Sequence, residues 1–111
     1  MAPTVWYHVR DLDEGRRFYR ELLGFDELAL DFDEGWSTLR RGEMEIGLVQ
    51  GEPEENGVAH VDVADLKEEA DRLRAAGVEV GIVLELTGEM RLLDVYDPDG
   101  NRVQLAQELR A

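Results

Sequence analysis

Two histidines, two tryptophans and an excess of carboxylates are the side chains of this chain that could do chemistry, and no cysteine accompanies them. An imidazole can ligate a metal, move a proton or contact a ligand, and an indole face can stack on a planar molecule or a cation. Without cysteine there is no disulfide framework, zinc–thiolate site or thiol nucleophile. No Gly-x-Ser-x-Gly elbow and no glycine-rich phosphate loop occurs. Twelve basic residues against 26 acidic ones leave a net charge of −14. That charge repels nucleic-acid phosphates and anionic membrane surfaces, which excludes both as expected partners. It either draws in a cationic ligand or serves solubility alone.

These residues must be positioned by elements that the pattern makes legible. Val9-Arg10-Asp11-Leu12 returns as Val63-Ala64-Asp65-Leu66, an offset of 54 residues from Asp11 to Asp65. Each Asp precedes a helical pattern and has a glutamate three residues on, Glu14 or Glu68, the spacing of a capping-box variant. Leu12, Phe18, Tyr19, Leu22 and Leu23 share one stripe of the first helix; Leu66, Ala70, Leu73 and Ala76 share one of the second. Gly24 and Gly77 end the helices at an offset of 53, so the second helix is one residue shorter. Strands are expected over 4–9, 27–33, 36–40 and 43–49, then over 58–63, 78–84, 90–96 and 101–106, divided by glycine and proline turns. The chain therefore reads as one α+β domain of two tandem βαβββ units, residues 1–50 and 58–111, with 51–57 as linker and the strands curving as a mixed sheet around a cleft.

Alternation assigns the faces. Val5, Tyr7, Val9, Ala59, Val61, Val63, Met44, Ile46, Leu48, Val103 and Leu105 pack toward the helices. Thr4, Trp6, His8, Val58, His60, Asp62, Glu45, Gly47, Val49, Arg102, Gln104 and Ala106 face the other way and line the cleft. Trp6, Trp36 and Tyr96 would offer stacking surfaces there, and Glu45, Asp62 and Asp94 would attract positive charge. For Trp36 cleft and core packing are equally open, and for His8 and His60 ligand contact and a structural role are both open.

His8-Val9-Arg10-Asp11-Leu12 followed by Phe18-Tyr19-Arg20-Glu21-Leu22-Leu23-Gly24-Phe25 resembles the opening of vicinal-oxygen-chelate domains, the superfamily of glyoxalases, bleomycin-resistance proteins and extradiol dioxygenases. Asp97-Pro98-Asp99-Gly100-Asn101-Arg102-Val103-Gln104-Leu105 is similar to their closing hairpin. The resemblance covers essentially the whole chain. It implies metal ligands, in the metalloenzymes, at the positions of Thr4, Gly47, Val58 and Gln104, none of which offers a histidine or carboxylate here. The expectation is thus no metal and no other cofactor, and a binding protein of the bleomycin-resistance type that sequesters a cationic or aromatic small molecule. The alternative is a lyase, isomerase or dioxygenase with a metal displaced onto His8 and His60. The resemblance also implies a homodimer. The opening residues carry no basic stretch and apolar run, so a cytoplasmic protein is expected.

Overall fold

The computed structural model describes residues 3, 5–54 and 57–109. Strand β1 (Val5–Val9) leads to helix α1 (Leu12–Arg17), then to β2 (Asp26–Asp31), β3 (Trp36–Arg41) and β4 (Met44–Gln50). The second unit repeats this with β5 (Ala59–Asp62), α2 (Leu66–Ala75), β6 (Glu79–Val80), β7 (Leu84–Leu86), β8 (Met90–Tyr96) and β9 (Arg102–Glu108). The architecture is α+β, with one sheet per unit. The first has the order β1-β4-β3-β2, and the second β5-β9-β8-β6, with β7 also on β8. In each sheet the opening strand lies parallel to the closing strand and the remaining pairs are antiparallel.

The helix starts match their sequence signature. Asp11 accepts from the Glu14 N–H and Asp65 from the Glu68 N–H, both at 3.1 Å. The first free N–H of each helix finds a partner from far along the chain. Leu12 N–H donates to the Gln50 side chain at 3.1 Å, and Leu66 N–H to that of Gln107 at 3.0 Å. A glutamine of each unit's last strand thus caps that unit's own helix. The extra residue of the first helix is taken up as a π turn over Phe18–Leu22, closed by Leu23 N–H on Phe18 C=O at 3.1 Å. The wider turn lets Phe18, Tyr19 and Leu23 all be buried. Tyr19 stacks on Tyr7 with centroids 5.9 Å apart and meets Phe18 and Phe25 edge-on.

One apolar core joins the two units. The expected inward residues of β1, β5 and β9 are all buried, as are Ile46 and Leu48. The strand expected over 78–84 is interrupted: Val80 pairs with Val95 and Leu84 with Leu92, so three residues, 81–83, stand opposite Leu93 and Asp94. The first unit carries a matching irregularity in its edge strand, where Glu27 pairs with Leu39 and Ala29 with Thr38, leaving Leu28 over. Such bulges bend an edge strand and discourage edge-to-edge pairing. Beside the first bulge, Arg16 holds Glu27 through two bonds of 2.7 and 2.8 Å, and Ser37 adds a third at 2.6 Å. The guanidinium and hydroxyl donors hold the Glu27 carboxyl below its ordinary value.

Candidate functional site

Residues of the two sheets' second faces line different depressions. Trp6 and Tyr7 leave β1 on opposite sides, and Tyr7 reaches the second sheet, its hydroxyl donating to Arg102 C=O and accepting from Ala59 N–H at 2.9 Å. Burial pushes that phenol up to about 12, so it keeps its proton and bridges the start of the β5–β9 ladder. The second sheet therefore lies behind β1 as seen from Trp6.

On the first face, Trp6, His8, Trp36, Thr38 and Val49 line a shallow concavity of about 530 Å³. Register explains the grouping: Trp6 lies opposite Gly47, Thr38 opposite Gly47 on the other side, and Trp36 and His8 flank Val49. Trp6 is 39% exposed yet tightly seated, because its indole lies on the backbone of Gly47. A Cβ at position 47 would stand 2.3–2.5 Å from the ring. The glycine is the condition for the aromatic platform, the use of a strand glycine where another group must approach the backbone closely. His8 rests at the rim, its Nε2 3.3 Å from Glu54 and its Nδ1 buried without a hydrogen bond. Thr38 and Val49 complete the lining; alternation from Glu45 already placed Val49 on this face, and continuing it from Trp36 would have found Thr38.

The other expected residues are distributed elsewhere. Glu45 is buried near the start of β4, its Oε1 3.5 Å from the Arg40 guanidinium. His60 and Asp62 are exposed and share a depression of about 310 Å³ with the β3–β4 turn, Arg41–Met44. Tyr96 and Arg102 border another of about 310 Å³, together with Val58 and Glu54. Asp94 and Gln104 line a pocket of about 230 Å³ beside the bulge at 81–83. Of the ten candidates, Trp6, His8 and Trp36 are brought together, Asp94 with Gln104, His60 with Asp62, and Tyr96 with Arg102.

The positions that the family resemblance assigns to a metal do not suit one. Gly47 has no donor and is sealed under Trp6. Val58 has none either, and the Gln104 amide is turned to Asp94 at 3.4 Å; Thr4 lies outside the described residues. His8 and His60 sit in different depressions. Among the described residues no three His, Cys, Asp or Glu side chains stand close enough to share an ion.

The fold and its duplicated βαβββ units define a class: residues 3–105 match the Glyoxalase/Bleomycin resistance protein/Dioxygenase superfamily. The chain belongs to that family. Solved structures share its fold. A bleomycin resistance determinant encoded on the transposon Tn5 is 22% identical, with a TM-score of 0.73 and 97% of each chain covered. An integron cassette protein from the mobile metagenome of Halifax Harbour sewage outfall is 21% identical, with a TM-score of 0.80 over 92% of this chain and 93% of the other. A fosfomycin resistance protein from Listeria monocytogenes, complexed with Mn(II) and sulfate, is 18% identical, with a TM-score of 0.76 over 93% and 86%. No curated protein sequence matches. Among the described residues no helix is long and apolar enough to cross a membrane.

Proposed function

We propose that this chain is a metal-free small-molecule binding protein of the cytoplasm, and that its ligand is a flat, largely apolar molecule taken up on the Trp6–Trp36 face. The observation that carries this reading is the concavity itself: two indoles and Val49 dominate its lining, and Trp6 is held in place by Gly47 rather than left free to move. Binding surfaces of this kind gain from apolar area and from stacking. The expected acidic contacts are absent from this lining, so shape and stacking, more than charge, would select the ligand here.

The chain's two tryptophans are both in this site, which makes intrinsic fluorescence a reporter without background. Titration with N-phenyl-1-naphthylamine, and separately with metal-free bleomycin, is expected to quench or shift that emission saturably. Trp36→Ala should weaken binding at least tenfold while the thermal transition stays cooperative. Saturable quenching by bleomycin would point to drug sequestration, and quenching by the neutral naphthylamine alone to an ordinary aromatic metabolite. No change of emission with either probe would sink the proposal.

The same geometry favours a homodimer. Tyr7 directs the second sheet away from the aromatic face, so that face has one wall only, and a second copy would supply the other. Sedimentation equilibrium is expected to return twice the chain mass, with dissociation weakening the fluorescence response. A monomer that binds with full affinity would show that one wall suffices.

A further inference from the structure

The two helices end differently, and the duplication shows which groups differ. Asp26 pairs with Arg40 across β2 and β3, as Glu79 pairs with Tyr96 across β6 and β8. Leu23, Gly24 and Arg41 of the first unit therefore correspond to Ala76, Gly77 and Asp97 of the second. The last carbonyls of a helix have no partner within it, and they carry the negative end of its dipole. At the end of the first helix, guanidinium groups of the chain itself meet them. Arg41 donates to Leu23 C=O at 2.8 Å and also to the Glu69 carboxylate. Arg72 donates to Leu22 C=O at 2.9 Å.

At the end of α2 the places equivalent to Arg41 and Arg72 are taken by Asp97 and Phe18. Among the described residues no side-chain donor reaches Ala76 or Gly77 C=O. A hollow of about 310 Å³ stands there, on the helix side of the sheets. Ala76, Gly77 and Glu79 line it beside Phe18, Leu22 and Val78, and no cationic side chain joins them. Glu79 is exposed, and among the described residues it has no ion pair. The buried Asp97 carboxylate is committed to bonds within its own turn and adds to the negative field. Helix-end carbonyls, a carboxylate and an apolar wall suit a planar, forked cation with a hydrocarbon tail. The first unit meets the same need with its own arginines.

We propose that the hollow at the end of α2 binds a small alkylguanidinium compound. Its fork engages Glu79 and the helix-end carbonyls, and its hydrocarbon lies on Phe18, Leu22 and Val78. This site does not rest on the reading of the tryptophan face, since no residue lines both depressions.

The test uses n-butylguanidinium, with N-butylurea as its neutral counterpart of the same shape and n-butylammonium as a cation without the fork. Amide chemical shifts in a ¹H–¹⁵N titration are expected to move at Gly77, Val78 and Glu79. The guanidinium should bind at least tenfold tighter than the urea and severalfold tighter than the ammonium. Its affinity should fall severalfold between about 50 and 500 mM salt. Glu79→Lys is expected to abolish binding while the thermal transition stays unchanged, because the side chain it replaces is exposed. Asp26→Asn, at the equivalent position of the first unit, should leave the affinity as it is. Equal binding of the guanidinium and either counterpart, full affinity in Glu79→Lys, an equal loss in Asp26→Asn, or shifts confined to other residues would each overturn the proposal. Failure here leaves the fluorescence experiment on the tryptophan face unaffected.

Discussion

Gly47→Val is expected to cost about 1–3 kcal/mol of stability, as overpacking of a filled site does, and to cost far less when Trp6 is already alanine. The wild-type indole occupies the volume that any side chain at 47 would need, with ring atoms 2.3–2.5 Å from the nearest Cβ position. The backbone conformation at Gly47 is not the obstacle, since it is an ordinary strand residue between Ile46 and Leu48. Two outcomes are open to the variant: the indole is pushed into solvent, or β1 and β4 shift apart. Either would change tryptophan emission. Chemical denaturation of the two single variants and the double variant measures the coupling directly. An equal cost of Gly47→Val in both backgrounds would mean that Trp6 moves freely, and the rigid platform would be lost with it. The same experiment bears on metal chemistry: Gly47→Glu restores a carboxylate at the family's ligand position, but only by expelling Trp6.

Asp97→Ala is expected to be more damaging still, about 3–5 kcal/mol. The Asp97 carboxylate is buried and accepts four hydrogen bonds. They come from the Tyr19 hydroxyl at 2.8 Å and, at 2.9 Å each, from the Asn101 side chain, the Asn101 N–H and the Asp99 N–H. Asn101 also donates to His8 C=O at 2.9 Å, so the closing turn is fastened to the end of β1 through this group. Truncation would leave four donors without an acceptor. Burial pushes the Asp97 carboxyl above its ordinary value, and the four bonds only partly offset this. A carboxyl raised in the folded state contributes most below its unfolded value near 3.8, and that contribution is lost as pH rises through the folded value. The stability of the wild type relative to Asp97→Asn should therefore grow as pH falls from neutral toward 4. Glu27 has the opposite sign: lowered by Arg16, it stabilises above 4.5, and its contribution is lost as pH falls through the folded value. Denaturation midpoints of Asp97→Asn and Glu27→Gln between pH 3 and 7 should accordingly diverge from wild type in opposite directions. Parallel curves would refute the assignment.

Much of this molecule is written locally. Period-two alternation placed Val5, Tyr7 and Val9 inside and Trp6 outside, because a strand's faces depend only on neighbouring residues. The helix starts at Asp11 and Asp65 and the left-handed ends at Gly24 and Gly77 are equally local, and they appear as expected. The one-residue difference between the helices was visible as a spacing, although nothing in it specified a π turn. The relation between the two open faces was not legible. It hangs on Tyr7 meeting Ala59 and Arg102, contacts 52 and 95 residues distant. Alternation says that Trp6 and His60 occupy equivalent positions; it does not say whether equivalent positions face one another. The break at 81–83 carried a hint in Gly81, but the aliphatic run Val78, Val80, Ile82 and Leu84 concealed it.

The two capping glutamines carry a consequence for how the chain comes to be folded. Gln50 lies 38 residues beyond the helix N–H it satisfies, and Gln107 lies 41 beyond its own. Each helix start is thus completed only when the final strand of the same repeat has arrived, so a nascent repeat emerging from the ribosome holds an unfinished helix until nearly all of it is out. Each repeat is drawn shut by its own tail, like a purse by its string. A chain shortened at its end by a few residues, at Gln107, would fray first at Leu66, near the beginning of the repeat, and hydrogen exchange would find the damage there.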